Sequence, residues 1–206
     1  MNRIIIEAKH ARTAEYHFLR TILDKYFADK EVEFIFMDGI THLFDEAILN
    51  QILQAQTTGD CMLVLVDADT IDKGYGYEER ARNIEYNMKL NGLTFPYFIY
   101  PNNNDDGDVE CLMESVARRD LHSIFFDCFE DYEKCVSGVK DASGNTAYNT
   151  PNRKGKLHTY ISAQKINKKS RDRLGSGDWL FDNSNFWNLD KEELQPLKEF
   201  FDKHLK

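Results

Sequence analysis

Short apolar runs and helical stripes take turns along the first hundred residues. "RIIIE" (Arg3 to Glu7) is a β-branched run of strand length, and Tyr16, Leu19, Leu23 and Tyr26 after it are spaced as one face of a helix. "VEFIFMDG" (Val32 to Gly39) repeats the strand pattern and closes on an Asp-Gly turn, after which Phe44, Ile48 and Ile52 mark a second helix. "CMLVLVDAD" (Cys61 to Asp69) is a third strand, and its unbroken apolar stretch Met62 to Val66 is the pattern of a strand buried on both faces. Tyr77, Ala81, Ile84 and Met88 carry the next helix, and "TFPYFIYP" is a fourth strand ending near Pro101.

Strands alternating with helices of this length imply right-handed βαβ crossovers, so the expected fold class is α/β, with a parallel sheet of about four strands flanked by helices. After the fourth strand, "NNNDDGD" (Asn102 to Asp108) is a turn-rich loop, and Val109, Leu112, Met113 and Val116 begin a helix. From about Leu121 the signal is helical, broken by a long loop over 141–156. The expected organisation is an α/β core over 1–120 and a mainly helical extension over 121–206. Asp190 is expected to cap the last helix, with Leu189 and Leu194 as its hydrophobic staple.

Composition adds exclusions. The chain has 206 residues, 42% hydrophobic and 30% charged, the balance of a globular protein rather than a disordered one. No apolar run approaches the roughly 20 residues that cross a bilayer, and the apolar part of "MNRIIIEAKH" is too short for a secretory signal, so a cytoplasmic protein without membrane contact is expected. The four cysteines stand singly, as buried thiols of a reducing compartment would, and the six histidines are scattered, which argues against zinc.

The acidic residues are the candidate chemistry. Glu7 ends the first strand, Asp67 and Asp69 end the third, and Asp108 and Glu110 follow the fourth, all on one edge of the sheet. In a 2-1-3-4 strand order Glu7 and Asp67 would meet at the topological switch point, where open α/β sheets place ligands. Crowded carboxylates raise each other's proton affinity and either share protons or bind a cation. All-oxygen ligation favours magnesium, manganese or calcium over zinc. Asp108 and Glu110 have a competing structural role at the start of the following helix, as cap and dipole partner.

A strand ending in Glu, then helix, strand, helix, and a strand ending in D-x-D ("VLVDAD") resembles the Toprim domain of topoisomerases and primases. "DGDVECL" and "LFDNSNFWNLDKEELQPLKEFF" further resemble an uncharacterised prokaryotic Toprim-like family related to the overcoming-lysogenization-defect (OLD) nucleases. The core resemblance covers about residues 1 to 118. It implies that Glu7, Asp67 and Asp69, with Asp108 or Glu110, organise Mg2+ (or Mn2+) for the phosphodiester chemistry of a nuclease. Glu7 would alternate between ligand and general acid/base, and Lys9 and Lys73 are candidate charge partners. Ala8 stands where such sequences usually have glycine, and Glu15 is the candidate for a further acidic position.

Two alternatives belong to other classes. "LVLVDADTID" fits the D-x-D-x-T strand of haloacid dehalogenase-like phosphatases, with Asp67 as nucleophile, although no later apolar strand ends in the further acidic pair that fold needs. A noncatalytic Toprim-like interaction module, in a homo-oligomer or with an unknown protein partner, would keep the fold without turnover. The net charge of −9 disfavours nonspecific binding to DNA or RNA, but eight of the 26 basic residues lie between Arg153 and Arg173 with one acid, Asp172, among them. Lys165, Lys168, Lys169, Arg171 and Arg173 are therefore the candidate nucleic-acid-binding residues, with Tyr148, Tyr160 and Trp179 as candidate stacking faces.

Overall fold

Strand β1 (Asn2–Ile6) lies between β2 (Val32–Phe36) and β3 (Cys61–Asp67), and β3 carries β4 (Tyr97–Tyr100) on its other side. All pairings are parallel, giving the order β2-β1-β3-β4. The computed structural model describes residues 1–71 and 75–206. Lys73 lies outside the described residues. The connections are helical: α1 (Ala14–Tyr26), α2 (Glu46–Thr58) and α3 (Tyr77–Leu90) join successive strands. Beyond β4 follow α4 (Val109–Val116), α5 (Arg119–Ser137), α6 (Arg153–Ser162), α7 (Lys168–Gly175) and α8 (Gln195–His204). The protein is an α/β fold built on a parallel sheet, as the alternation of patterns predicts.

Side chains alternate across each strand and so divide the interior into two layers. Ile5, Met62, Val64, Val66 and Ile99 point to the face covered by α2 and α3, where Ile48, Ile52 and Ile84 are buried. Ile4, Ile6, Leu63, Leu65 and Phe98 point to the other face, packed by Phe18, Leu19 and Ile22 of α1 and by Leu112 and Met113 of α4. The carboxyl-terminal segment fills that same layer through Leu157, Phe181, Trp187, Leu197 and Phe201. Its end is tied to the sheet: the Asn2 side chain accepts from the Lys206 N–H at 2.8 Å and donates to the Lys206 carbonyl at 3.1 Å.

Several expectations are corrected. Asp190 does not cap the last helix; it takes the Lys25 ammonium at 2.8 Å, and α8 starts only at Gln195, after a 3-10 turn over Glu192–Leu194. Pro196 explains the late start, since proline fits the first turn of a helix and not its interior. Tyr160 and Trp179 are buried, so neither is a stacking face, whereas Tyr148 is exposed. Their neighbours are aromatic core residues, Phe126 for Tyr160 and Phe181 for Trp179. Cys61 is buried as expected, but Cys128 and Cys135 are exposed, and all four thiols are free. Asn152 caps α6, so residues 153–156, expected in the loop, form its first turn. No described helix is long and apolar enough to cross a membrane.

Candidate active site at the carboxyl ends of β1 and β3

The inner strands deliver two carboxylates to the switch point of the sheet. Glu7 follows β1 directly, Asp67 ends β3, and the Glu7 Oε1 accepts the Asp67 main-chain N–H at 2.7 Å. Asp67 in turn points an oxygen at the start of α4, where Oδ1 accepts the Val109 N–H at 2.8 Å. That second bond depends on a backbone clamp. Asp69, at φ 60°, and Gly107 exchange N–H to carbonyl bonds of 2.7 and 2.8 Å, which fixes the loop before α4 to the tip of β3. Gly107 sits at φ 145°, and a Cβ there would meet the Cys111 sulfur at 2.8 Å, so the clamp needs glycine.

A cleft of about 460 Å³ opens above these strand ends, lined by Glu7, Glu15, Asp67, Asp69, Asp108 and Glu110. The acidic positions expected from the sequence, Glu15 among them, are thus brought to one place. Glu15 lies in the first turn of α1, and its Oε2 accepts the Ala8 N–H at 3.0 Å, which turns the side chain back toward β1. A groove of about 620 Å³ between β4 and α8 is larger, but Glu199 is its only carboxylate among the lining residues.

Burial and mutual repulsion govern the charge state of the cluster. Burial, and then the Glu7 charge, push the Glu15 carboxyl up to about 8. Asp67 is held well above the usual carboxylate range by burial and then by Glu7, Glu15 and Glu110, with the Val109 N–H opposing them. Burial raises Glu7 as well, against the Asp67 N–H and the Arg80 guanidinium. Glu110 is raised by burial, with Lys154 pulling the other way. A set of acids that each resist ionisation is a set that additional positive charge would stabilise.

Asp69 is arranged differently from its neighbours. Arg80, only 5% exposed, donates from Nη2 to Asp69 Oδ2 at 3.0 Å and from Nε to the Asp67 carbonyl at 2.9 Å, so the second aspartate of the D-x-D balances a buried guanidinium. Asp108 fulfils its structural role: Oδ1 caps α4 by accepting the Cys111 N–H at 2.9 Å, and Arg153 approaches the same oxygen at 3.3 Å. Glu110 stands 3.5 Å from the Lys154 ammonium.

Positive charge rims the cleft. Thr13, Asp108 and Asn152, the N-caps of α1, α4 and α6, all line it, so three helix N-termini converge on its mouth. Lys9, Arg153 and Lys154 add full charges. Lys9 is held 3.0 Å from Asp38. Of the expected nucleic-acid-binding residues, Lys165, Lys168, Lys169 and Arg171 are exposed on or just before α7 and do not line the cleft. Arg173 is committed to Asp178 and Asp182 at 2.7 and 2.8 Å. Gly177, beyond the end of α7, packs against the backbone of Arg12 and Thr13 so tightly that a Cβ would meet the Arg12 carbonyl oxygen at 2.6 Å.

The donor set suits a hard divalent cation, since every acidic group on the floor offers oxygen. Among the described residues no three Asp, Glu, His or Cys side chains are already arranged to hold a metal ion. The carboxylates are instead spent partly on backbone amides, and receiving a cation would require them to turn. The residues at the site that the sequence alone did not single out are Arg80, Arg153 and Lys154. The two rim residues were legible only as part of a basic run.

No curated protein and no solved structure matches the chain. Residues 2–206, nearly the whole length, fit the family described as "Protein of unknown function (DUF3226)", and the chain belongs to that family.

Proposed function

We propose that the protein is a magnesium- or manganese-dependent, Toprim-like enzyme that cuts nucleic-acid phosphodiesters. The observation that carries this reading is the joining of Glu7 and Asp67 at adjacent strand ends, both raised by burial and by neighbouring carboxylates. An acidic floor under a basic rim matches a phosphodiester approaching with a cation beneath it. When bound, the cation would polarise a phosphate oxygen and lower the pKa of attacking water.

The chain's own groups would do the rest. Lys9, Arg153, Lys154 and the three helix N-termini would hold the phosphate oxygens and orient the strand. Glu7, raised by its surroundings, is suited to take the proton of the attacking water as the P–O bond to the leaving oxygen breaks. Glu15, with its carboxyl near 8, is the group that holds a proton at neutral pH and can return one to the leaving oxygen. The exposed basic residues Lys165, Lys168, Lys169 and Arg171 would extend the path for the polyanion along α7.

The Arg80–Asp69 pair favours one alternative, a noncatalytic module, because it gives the D-x-D a structural use. Turnover decides between them. Labelled single-stranded and duplex DNA and RNA, incubated with the protein in Mg2+, Mn2+ or Ca2+, should be cut in the first two, and Glu7→Gln and Asp67→Asn should each lower the rate by about 100-fold or more. A wild-type protein that binds cation but cuts none of these substrates would overturn the nuclease assignment in favour of the interaction module.

A further inference from the structure

Tyr100 carries a polar group that the fold does not use. It is the last residue of β4, fully buried, and paired in register with Asp67, so the two side chains leave the sheet on the same face. Its ring packs edge-on against Phe98 at 5.7 Å, a role that phenylalanine would fill equally well. The hydroxyl, however, has no hydrogen-bond partner among the described residues. Burying a phenol O–H without a partner is unfavourable, and it stands out in a protein whose other buried phenol, Tyr160, donates to the Phe186 carbonyl at 3.1 Å.

What surrounds that hydroxyl gives it a purpose. Asp67 of the cleft floor is its register partner on the neighbouring strand, and burial, then the charges of Glu15, Asp67, Glu7 and Glu110, hold the phenol well above its usual range. A phenol O–H is a donor and carboxylate oxygens are acceptors, so the chemistry is matched. Carboxylates that ligate a cation are oriented by hydrogen bonds to their remaining oxygens, and those outer partners tune affinity.

We propose that Tyr100 is a positioning residue of the cluster, its O–H donating to the floor carboxylates from below when they turn to receive a divalent cation. This rests on the cation-dependent function proposed above and assigns that site a group outside its acidic residues. That bond would give the buried hydroxyl the acceptor that no described group supplies, so the hydroxyl should favour the cation-loaded protein over the cation-free one.

The test compares Mn2+ titrations of the wild type, Tyr100→Phe and Asp67→Asn by calorimetry, together with melting of each metal-free protein. Tyr100→Phe should bind Mn2+ about 10-fold or more weakly, while its metal-free melting temperature is unchanged or higher. The near-ultraviolet difference spectrum that Mn2+ induces in the wild type, from a buried phenol gaining an acceptor, should be absent in Tyr100→Phe. Affinity within about twofold of wild type, with Asp67→Asn still impaired, would overturn the role of Tyr100 alone. A wild type that binds no Mn2+ would overturn the proposed function and this inference together. A Tyr100→Phe protein that melts markedly lower without metal would show the hydroxyl to be structural and refute the proposal.

Discussion

Glu7 accepts the Asp67 main-chain N–H at 2.7 Å, so a side chain leaving one strand closes the backbone of its neighbour at the point where the sheet order reverses. This bond separates two consequences of changing Glu7. Glu7→Gln keeps an acceptor oxygen and removes a charge from a repelling cluster, so the metal-free protein should melt at the same temperature or higher. Glu7→Ala leaves a half-buried N–H without its partner and should cost about 1–3 kcal/mol. Thermal melts of both variants without metal check this; equal destabilisation by Gln and Ala would mean that the charge, not the bond, holds the strand ends together.

Stability should depend on pH in the direction opposite to that of an ordinary surface carboxylate. Glu15 titrates near 8 in the folded chain and near 4.5 when unfolded, so between those values the folded state holds the extra proton and gains stability as pH falls. The contribution is lost as pH rises through about 8. Glu7, Asp67 and Glu110 are shifted in the same direction. His17 and His204, held below the ordinary imidazole value by burial, oppose the trend once pH drops through the unfolded histidine range. Subtracting the Glu15→Gln profile from that of the wild type removes their part. Glu15→Gln should raise the melting temperature at pH above 8 by several degrees, on the order of 2–4 °C per kcal/mol recovered, and change it little near pH 4.5. A variant that melts lower at high pH would contradict the shift.

The two aspartates of the D-x-D should separate. Asp69→Asn removes the counter-charge of Arg80, a guanidinium only 5% exposed, and should destabilise the fold by about 1–3 kcal/mol. Repulsion among the crowded carboxylates alone would give the reverse, an intact or steadier fold, but it leaves out Arg80, which arrives from α3. Chemical denaturation of Asp67→Asn and Asp69→Asn in parallel checks the contrast, and equal stabilities would remove it.

Much of the site was legible because its carboxylates follow apolar strands. Once Ile4 to Ile6 and Met62 to Val66 are strands of one parallel sheet, Glu7 and Asp67 can only fall on its carboxyl edge. What was not legible depends on packing between distant segments. Arg80 sits on a helix face like any charged residue until α3 docks, and Tyr100 looks like one more aromatic in an apolar strand. Trp179 and Tyr160, grouped with a basic run by sequence proximity, are core because the carboxyl-terminal segment folds back over the sheet. Asp190 has the spacing of a cap, but Lys25 and Tyr26 of α1 claim it first.

Nucleic-acid affinity should draw on two groups of cations. Changing Lys168, Lys169 and Arg171 together to Ala should flatten the log–log salt dependence of duplex binding by roughly one unit per lost phosphate contact. Changing Arg153 and Lys154 to Ala should also lower the cleavage rate, because these two line the cleft. Affinities measured at several salt concentrations, with Ca2+ in place of Mg2+, supply the slopes. An unchanged slope in the α7 variant would confine recognition to the rim of the cleft.

The most direct measurement is a calorimetric titration of Mn2+ into the wild-type protein and into Asp67→Asn. Asp67→Asn retains an oxygen for the Val109 N–H and so keeps the geometry of β3 and α4 while losing one charge from the floor. Saturable binding by the wild type, weakened by about tenfold or more in the variant, is the predicted result. Equal affinity in the two proteins, or no binding by either, would contradict a cation site at the joined ends of β1 and β3.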